Sequence, residues 1–498
     1  MPFLSQLIGH PADRIAIIDS EGEHSYGALI HRARLLASTL REHTEPGQTV
    51  IAFLAERDAS SLVALLGIWL ADAVAVALDP LMAIPEWEWR IRELGATILV
   101  YAPVRESEAR YLASLSGIQR VCTVRHHNEL TPLKFSNLQQ NALVLYTCEE
   151  GHSPRGVIHS FSSLDAQVKT LCHAWDWQPR DRILNILPLS HIYGLVEGLL
   201  CPMAAGASTE ILPSFKTEQI WEHLASGGIT LLSAVPAIYQ YLMDNWDRAG
   251  ESDQQRWQKG ARKLRLVSVN ISSLQSRNQN TLYERWRRLI GRGFQVNYGM
   301  VETGVIFCQQ PHSQQRQNYQ GQPLPGVSIR LADEEGNEVT TGSMGELLVR
   351  SPQMFSGYFG RQDLIRNAFL HGWFRTFDLA VSTDGGYQLL GRCNQNKTTD
   401  EGDLVAAREV ETLLDTHSGI RECAVLSLPC SHQSEAVCAC IVPVSPDLNT
   451  TKVRQWLHNR LATRKMPTRI EVMPRLPRTA KGAIDRQCLQ RELGACRT

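Results

Sequence analysis

The chain has 498 residues, of which 43% are hydrophobic and 20% are charged, and its formal net charge is -1. This length predicts a large domain of several layers followed by a smaller one. The balanced charge gives no reason to expect binding to nucleic acid or to an anionic membrane surface.

The most apolar segment runs from Leu62 to Leu78, but it contains Gly67 and Asp72. We therefore expect a buried helix followed by a strand, and no membrane span. The first residues lack a basic region followed by an apolar core, so no secretory signal is expected. The 12 cysteines form no CxxC pair, which favours reduced thiols and a cytoplasmic protein.

Apolar runs and amphipathic segments alternate along most of the chain. Strand-like runs begin at Val50 (VIAFLA), Thr97 (TILVYA) and Leu264 (LRLVSV), whereas Tyr26 to Leu40 has the apolar spacing of a helix. This alternation is typical of parallel α/β units.

The pattern changes towards the C-terminus. Shorter strands with glycine-rich turns follow Val327, and a polar stretch follows Arg392. The sequence therefore predicts an α/β fold. We expect a large N-terminal domain of layered α/β subdomains plus a small β-rich subdomain over residues 1–392, and a small mobile α+β C-terminal domain over residues 393–498.

Five short segments combine glycines with charged and hydroxyl residues in one order along the chain. They are TCEEGHSPRG from Thr147, LPLSHIYGL from Leu187, NYGMVETG from Asn297, GWFRTFDLAVSTDGGYQLLGR from Gly372 and LPRTAKGAIDR from Leu476. The first follows a hydrophobic strand and has the frame of a loop that binds phosphate through backbone N–H groups and a cation.

Together the five segments resemble the adenylate-forming superfamily, which contains acyl-CoA synthetases, adenylation domains of peptide synthetases and firefly luciferase. The resemblance extends from Ser25 to the end of the chain and is closest to the acyl- or aryl-CoA ligase branch. It implies a reaction in which a carboxylate attacks the α-phosphate of ATP, giving an acyl-adenylate and pyrophosphate. A thiol of CoA or of carrier-protein phosphopantetheine then takes the acyl group. Mg²⁺ is implied, because negative charge at the phosphates must be stabilised.

The resemblance assigns roles to residues of the nucleotide site. Glu302 matches the acidic residue that holds Mg²⁺, and Thr147 is a second candidate for contact with the metal. Thr147, Arg155 and Gly156 match positions of the phosphate loop, while Tyr298 and Gly299 match residues that pack beside adenine.

Four further residues have implied roles. Asp378 matches the carboxylate that binds the ribose hydroxyls, and Arg392 matches the arginine that reaches the same ribose. His191 matches a histidine between ATP and the acid, and Gly402 matches a glycine of the thiol tunnel. No obvious carboxylate partner for an α-ammonium group follows His191, which favours a fatty, aryl or other acid without an α-amino group.

The phosphate loop departs from the family pattern. Five residues, Cys148 to His152, replace small and hydroxyl residues, and Glu149 and Glu150 are among them. A carboxylate about 6 Å from a phosphate charge costs roughly 3 kcal/mol at an effective dielectric near 20. These two residues therefore predict weakened binding of ATP.

Other departures lie in the later motifs. Asn270 and Ile271 replace a pair of glycines and Phe377 replaces another, so side chains are expected in space that the nucleotide would use. Ala483 stands where the family has the lysine of the adenylation step. Lys481 is the candidate substitute, because alternate residues of an extended segment point to the same side.

Three functions stay open on the sequence alone. The first is an ATP-dependent ligase that joins a non-amino carboxylic acid to CoA or to an acyl carrier protein. The second is a catalytically degenerate homologue that binds or scaffolds another biosynthetic enzyme. The third is an enzyme that performs only the thiol half of the reaction.

Overall fold

The computed structural model has the predicted α/β architecture, with a large N-terminal domain and a small C-terminal domain. The residues that it describes are 3–123, 139–147, 154–271, 277–308, 321–333, 335–383, 386–392, 396–398, 404–429, 435–445, 448–458, 466–478 and 484–493. The predicted domain boundary at residue 392 stays a prediction.

The helices of the described residues follow the amphipathic segments of the sequence. They are α1 (Phe3–Ile8), α2 (Tyr26–Arg41), α3 (Ala59–Leu70), α4 (Ile84–Leu94), α5 (Glu106–Ser116), α6 (Phe161–Ala174), α7 (Cys201–Ala205), α8 (Thr217–Ser226), α9 (Pro236–Arg248), α10 (Glu251–Ala261), α11 (Arg277–Ile290), α12 (Gln362–Ala368), α13 (Ala407–Asp415), α14 (Thr450–His458) and α15 (Arg486–Leu493). A 3₁₀ turn covers Pro103–Arg105, and a π-helix covers Tyr193–Leu200.

The first fifteen strands include the apolar runs of the sequence. They are β1 (Ile15–Asp19), β2 (Gly22–Ser25), β3 (Val50–Leu54), β4 (Val74–Leu78), β5 (Ile98–Tyr101), β6 (Arg120–Thr123), β7 (Asn141–Tyr146), β8 (Gly156–Ser160), β9 (Arg182–Asn185), β10 (Ser208–Ile211), β11 (Leu231–Ala234), β12 (Leu266–Ile271), β13 (Gln295–Met300), β14 (Gly304–Cys308) and β15 (Gln322–Pro323).

The later strands are shorter or belong to antiparallel pairs. They are β16 (Ser328–Ala332), β17 (Met344–Arg350), β18 (Gly357–Tyr358), β19 (Phe369–Leu370), β20 (Trp373–Thr383), β21 (Gly386–Arg392), β22 (Asn396–Thr398), β23 (Leu404–Ala406), β24 (Ile420–Pro429), β25 (Glu435–Pro443) and β26 (Arg469–Val472).

Two large, mainly parallel sheets form the N-terminal part. Within the described residues, one sheet has the order β15-β14-β13-β12-β11-β9-β10-β1-β2 and the other has the order β18-β8-β7-β4-β3-β5-β6. A shared hydrophobic core contains residues of both sheets together with α2, α3 and α6. The predicted helix and strand between Leu62 and Leu78 are confirmed as the end of α3 and as β4.

The nine-stranded sheet has two chemically different faces at β12 and β13. Val267 and Val269 of β12 pack in a core that contains Trp221, which stacks on Trp257 and Trp286 with ring centres 5.6 and 5.4 Å apart. Because side chains alternate along a strand, Ser268 and Asn270 lie on the opposite face. The π-helix Tyr193–Leu200 covers that face, as the contact between Asn270 and Glu197 shows.

Three smaller sheets follow. Strands β16, β17, β20 and β19 form a sheet that β21 joins through β20, which confirms the predicted β-rich subdomain. Beyond it, β22 pairs with β23, and β24, β25 and β26 form a sheet with its own apolar core. In the described ranges, no helix combines the length and the apolar character that crossing a membrane requires.

The contact between α2 and α3 depends on the absence of a side chain at Gly67. A Cβ atom there would lie 2.7 Å from Leu36 Cδ2 and 2.9 Å from Leu36 Cγ. We expect Gly67→Val to lower the free energy of unfolding by about 1–3 kcal/mol, since overpacking displaces neighbouring side chains. Thermal unfolding monitored by circular dichroism measures this, with Gly250→Ala as the control because no atom lies within 4 Å of a Cβ at Gly250. Equal melting temperatures for the two variants would contradict the close packing.

Candidate active site

The two ends of the predicted phosphate loop are bound to each other. Thr147 N donates to Arg155 O at 3.0 Å, and Arg155 N donates to Thr147 Oγ1 at 3.1 Å. Gly156 begins β8, where a Cβ atom would lie 3.1 Å from a Val144 methyl group. Residues 148–153 lie outside the described residues, so the predicted repulsion by Glu149 and Glu150 stays a prediction.

Arg155 and Glu302 approach each other around Tyr358. The Tyr358 hydroxyl donates to Glu302 Oε1 at 3.0 Å, and the Arg155 guanidinium carbon lies 5.6 Å from the centre of the Tyr358 ring. Burial, together with the Glu302 carboxylate, raises the pKa of Tyr358 well above its ordinary value. The structure thus brings the predicted phosphate-binding cation and metal-binding carboxylate together, through a tyrosine that the sequence analysis did not single out.

The turn that carries Glu302 is held by buried hydrogen bonds. His159 Nε2 donates to Val301 O at 2.9 Å, and Phe355 N donates to Glu302 O at 2.8 Å. Complete burial lowers the pKa of His159 to about 4, although its bond to Val301 acts in the opposite direction. The imidazole is therefore neutral near pH 7, and its Nε2 proton fixes the position of the residue before Glu302.

The predicted adenine and ribose positions also meet. The Tyr298 hydroxyl donates to Asp378 Oδ2, and both side chains are buried. Arg392 ends β21 directly opposite Asp378 of β20. Tyr298 therefore contacts Asp378, and the backbone places Arg392 across from Asp378, while their roles at a nucleotide stay predictions.

Phe377 retains the backbone conformation that a glycine would adopt. Its φ of 59° is left-handed, which costs about 1–2 kcal/mol for a residue with a side chain. Its ring packs against the Arg375 guanidinium, whose carbon lies 4.9 Å from the ring centre. Thr376 Oγ1 accepts from Asp378 N at 3.0 Å, so the irregular backbone that presents Asp378 is preserved.

His191 lies next to the π-helix and is half-buried. Its ring centre is 5.2 Å from that of Tyr193, whose hydroxyl donates to Gly299 O at 2.6 Å. Burial raises the pKa of Tyr193 well above its ordinary value, so this donor stays protonated. Tyr193 thus connects the predicted acid-side residue His191 to the predicted adenine-side residue Gly299.

The structure corrects the interpretation of Asn270. Its side chain does not point towards Tyr298 and Asp378, because Asn270 Nδ2 donates to Glu197 Oε2 at 2.8 Å on the other face of the sheet. Glu197 is buried in the π-helix, and burial raises its pKa to about 7. Sequence reasoning missed Glu197, whose only local signal is a carboxylate inside the apolar run GLVEGLL.

Several predicted residues lie outside the described part. These are Gly402, Lys481 and Ala483, and their roles stay predictions. Among the described residues, the buried oxygen atoms of Glu302 and Thr147 are ligands that Mg²⁺ prefers. Tyr298, Asp378 and Arg155 supply the aromatic, carboxylate and cationic groups that a nucleotide requires, so the residues fit ATP and Mg²⁺.

Comparison with known proteins finds two family models that together match most of the chain. The family model "AMP-binding enzyme" matches residues 4–359, and the model "AMP-binding enzyme C-terminal domain" matches residues 409–483. The mitochondrial malonate–CoA ligase of Homo sapiens is 30% identical, with 96% of this chain and 90% of that protein covered. A probable CoA ligase of Humulus lupulus is 28% identical, with 95% of this chain and 84% of that protein covered.

The fold agrees with that of a solved structure. The ATP-bound MatB from Rhodopseudomonas palustris superimposes with a TM-score of 0.86 at 24% identity, covering 99% of this chain and 98% of that one. The comparisons confirm the predicted resemblance to adenylate-forming enzymes and to their acid–thiol ligases. They give no support to the alternative of a degenerate scaffolding protein.

The bond from His159 to Val301 provides a test of how Glu302 is positioned. We expect His159→Leu to lower the free energy of unfolding by about 1–3 kcal/mol, because a buried carbonyl loses its donor. His159→Gln keeps an N–H donor and should lose less. Urea unfolding measures the free energy of unfolding of both variants. An equal loss of stability in the two would show that the hydrogen bond to Val301 O does not contribute to stability.

The buried Glu197 carboxyl predicts a pH dependence of stability. Its pKa rises from 4.5 to about 7 on folding, so the folded state keeps a proton that the unfolded state releases. The stability of the native chain therefore falls as pH rises from about 4.5 to 7, by on the order of 3 kcal/mol. Glu197→Gln removes this pH-dependent contribution. The melting temperature of the variant minus that of the unmodified chain should therefore increase as pH rises across this interval. A difference that is constant with pH would contradict the prediction.

Proposed function

Because the chain belongs to the AMP-binding enzyme family, we propose that it activates a carboxylic acid without an α-amino group and transfers the acyl group to the thiol of CoA. The observation that carries this proposal is the convergence of Arg155 and Glu302 on Tyr358, beside the phosphate loop. A half-buried cation beside a buried carboxylate suits an ATP–metal complex.

The proposed roles follow from the family resemblance and from where the described side chains lie. Arg155 binds phosphate oxygens, and Thr147 and Gly156 lie at the two ends of the phosphate loop. Glu302 and Thr147 hold Mg²⁺, which when bound supplies positive charge to the phosphates. Asp378 and Arg392 bind the ribose, and Tyr298 and Gly299 pack beside adenine.

The remaining roles belong to the acid and the thiol. His191 lines the path of the acid, and the contact of neighbouring Tyr193 with Gly299 supports this position. Lys481 contacts the carboxylate during adenylation, in place of the lysine that the family has at the position of Ala483. Gly402 lines the thiol tunnel. We propose that residues 393–498 form a domain that moves relative to residues 1–392 between the two steps.

The proposals for the acid substrate, the acceptor thiol and the cellular compartment rest on the relatives and on the sequence. The CoA ligases among the relatives favour CoA over carrier-protein phosphopantetheine as the acceptor. A fatty or aryl acid is proposed because no obvious ammonium partner lies at His191, and malonate is a candidate from the name of the human relative. A cytoplasmic location is proposed because the 12 cysteines form no CxxC pair.

Binding and turnover of ATP test the proposal. We expect millimolar Mg·ATP to raise the melting temperature, because a ligand of the folded state alone stabilises it. Pyrophosphate should then be released with at least one acid of a panel of aliphatic acids, aryl acids and malonate. Glu302→Gln should lower the release by about a hundredfold or more, since the metal loses a charged ligand.

The control for Glu302→Gln is Glu210→Gln. Glu210 is also a buried carboxylate, but it contacts His223 and Arg182 and has no proposed role. Glu210→Gln should keep both the shift with Mg·ATP and the release of pyrophosphate. If the melting temperature of the unmodified chain does not change at millimolar Mg·ATP, the ligase proposal fails. That result would agree with the predicted loss of ATP affinity caused by Glu149 and Glu150.

A further inference from the structure

Tyr358 lies where the strand that follows the phosphate loop meets a second strand. β18 pairs with β8, so that Tyr358 lies opposite Val157. The next residue, Phe359, donates its backbone N–H to Gly156 O at 2.8 Å. The backbone of Tyr358 is therefore fixed relative to Arg155, which lies two residues before Val157 in the chain.

The Tyr358 side chain is buried and its ring is packed. The residue is 5% exposed, and its ring centre lies 4.9 Å from that of Phe355 in an edge-to-face arrangement. Because protein interiors are close-packed, a ring held in this way has little freedom to turn. Its hydroxyl is therefore directed at one place, and the group that it meets there is the Glu302 carboxylate.

The hydroxyl connects a carboxylate with a cation. It donates to Glu302 Oε1 at 3.0 Å. Burial raises the pKa of Tyr358 and the Glu302 carboxylate raises it further, whereas Arg155 lowers it through its charge and as a hydrogen-bond donor to the hydroxyl. The phenol therefore stays protonated near pH 7. It donates its single proton to the carboxylate, while its oxygen accepts from the guanidinium.

The bonds from His159 and Phe355 position the backbone at Glu302 and not its carboxylate. His159 donates to the carbonyl of Val301, and Phe355 N donates to Glu302 O. A glutamate side chain has three rotatable bonds, so a fixed backbone alone does not decide where its carboxylate lies. The bond from Tyr358 restricts the carboxylate itself.

We propose that Tyr358 is a positioning residue, which aligns the Glu302 carboxylate with Arg155 so that the two side chains hold one metal–nucleotide complex. This rests on the proposed function, because that function assigns Mg²⁺ to Glu302 and phosphate to Arg155. Without the hydroxyl both side chains are present, but the carboxylate is no longer held in line with the end of the phosphate loop. The contribution of the metal to ATP affinity therefore depends on the Tyr358 hydroxyl, whereas the contribution of the phosphate loop does not.

Binding of ATP with and without metal tests this role in the absence of turnover. Isothermal titration calorimetry, with no acid present, measures the Kd of ATP in Mg²⁺ and in EDTA. Tyr358→Phe should weaken binding by about tenfold or more in Mg²⁺ and by less than about threefold in EDTA, because the lost hydrogen bond is to a charged metal ligand. A merely structural role would weaken binding equally in the two conditions, and that result overturns the proposal.

Pyrophosphate release provides a second readout. At saturating ATP and acid, the Mg²⁺ concentration for half-maximal release should rise by about tenfold in Tyr358→Phe, while kcat at saturating Mg²⁺ stays within about threefold. A lower kcat with an unchanged Mg²⁺ requirement overturns the proposal.

Tyr26→Phe is the matched control. Tyr26 is also a buried tyrosine, and its hydroxyl donates to Ala207 O at 2.7 Å, but it has no proposed role. The control should lower the melting temperature, because a buried hydrogen bond is lost. It should leave both Kd values and the Mg²⁺ requirement unchanged.

Failure of the proposed function is distinguishable from failure of the role of Tyr358. If ATP binds in neither condition, the ligase proposal fails, and Mn²⁺ alone is then the probe, with electron paramagnetic resonance measuring the unbound ion. The unmodified chain should bind Mn²⁺ about tenfold more tightly than Tyr358→Phe and Glu302→Gln do. Equal Mn²⁺ affinities of the three proteins overturn the role of Tyr358. If Tyr358→Phe does not fold, Tyr358→Met, which also lacks the donor, replaces it in each measurement.

Discussion

The position of Glu302 depends on buried hydrogen bonds to the backbone around it. Val301 O accepts from His159, Glu302 O accepts from Phe355 N, and Gly299 O accepts from Tyr193. These donors belong to β8, to the segment before β18 and to the π-helix. A shift of the turn would leave buried carbonyls unpaired, so the turn is held between three separate elements of the fold.

The alternation of side chains along β13 separates two kinds of contact. Tyr298 faces Asp378 on one side of the sheet, while Asn297 faces Asn270 on the other. Gly299 follows them, and its carbonyl meets the π-helix. One strand therefore presents the proposed nucleotide-binding residue Tyr298 on one face and the buried amide of Asn297 on the other, and Gly299 connects the strand to the π-helix.

The local motifs could be predicted from the sequence, but their partners could not. Tyr298, Gly299 and Glu302 lie within one short segment whose residue types are distinctive. Tyr358 is 56 residues from Glu302, His159 is 142 residues from Val301, and Glu197 is 73 residues from Asn270.

These contacts depend on how strands and helices pack, which no local pattern encodes. The same limit explains why the sequence analysis wrongly placed the Asn270 side chain in the space of the nucleotide. The sequence shows that a side chain replaces a glycine, but only the pairing of β12 with β13 shows which face of the sheet receives it.

The departures from the family pattern preserve backbone geometry where the structure describes them. Phe377 keeps a left-handed φ of 59°, although this costs about 1–2 kcal/mol. Thr376 Oγ1 also donates to Leu347 O at 2.8 Å, and Arg375 is bound to Glu346 at 2.6 Å. A chain with no further need for Asp378 would gain stability by relaxing this segment. The strained backbone is retained, and the Asn270 side chain points to Glu197 and away from Asp378. Both observations argue against loss of the proposed nucleotide site.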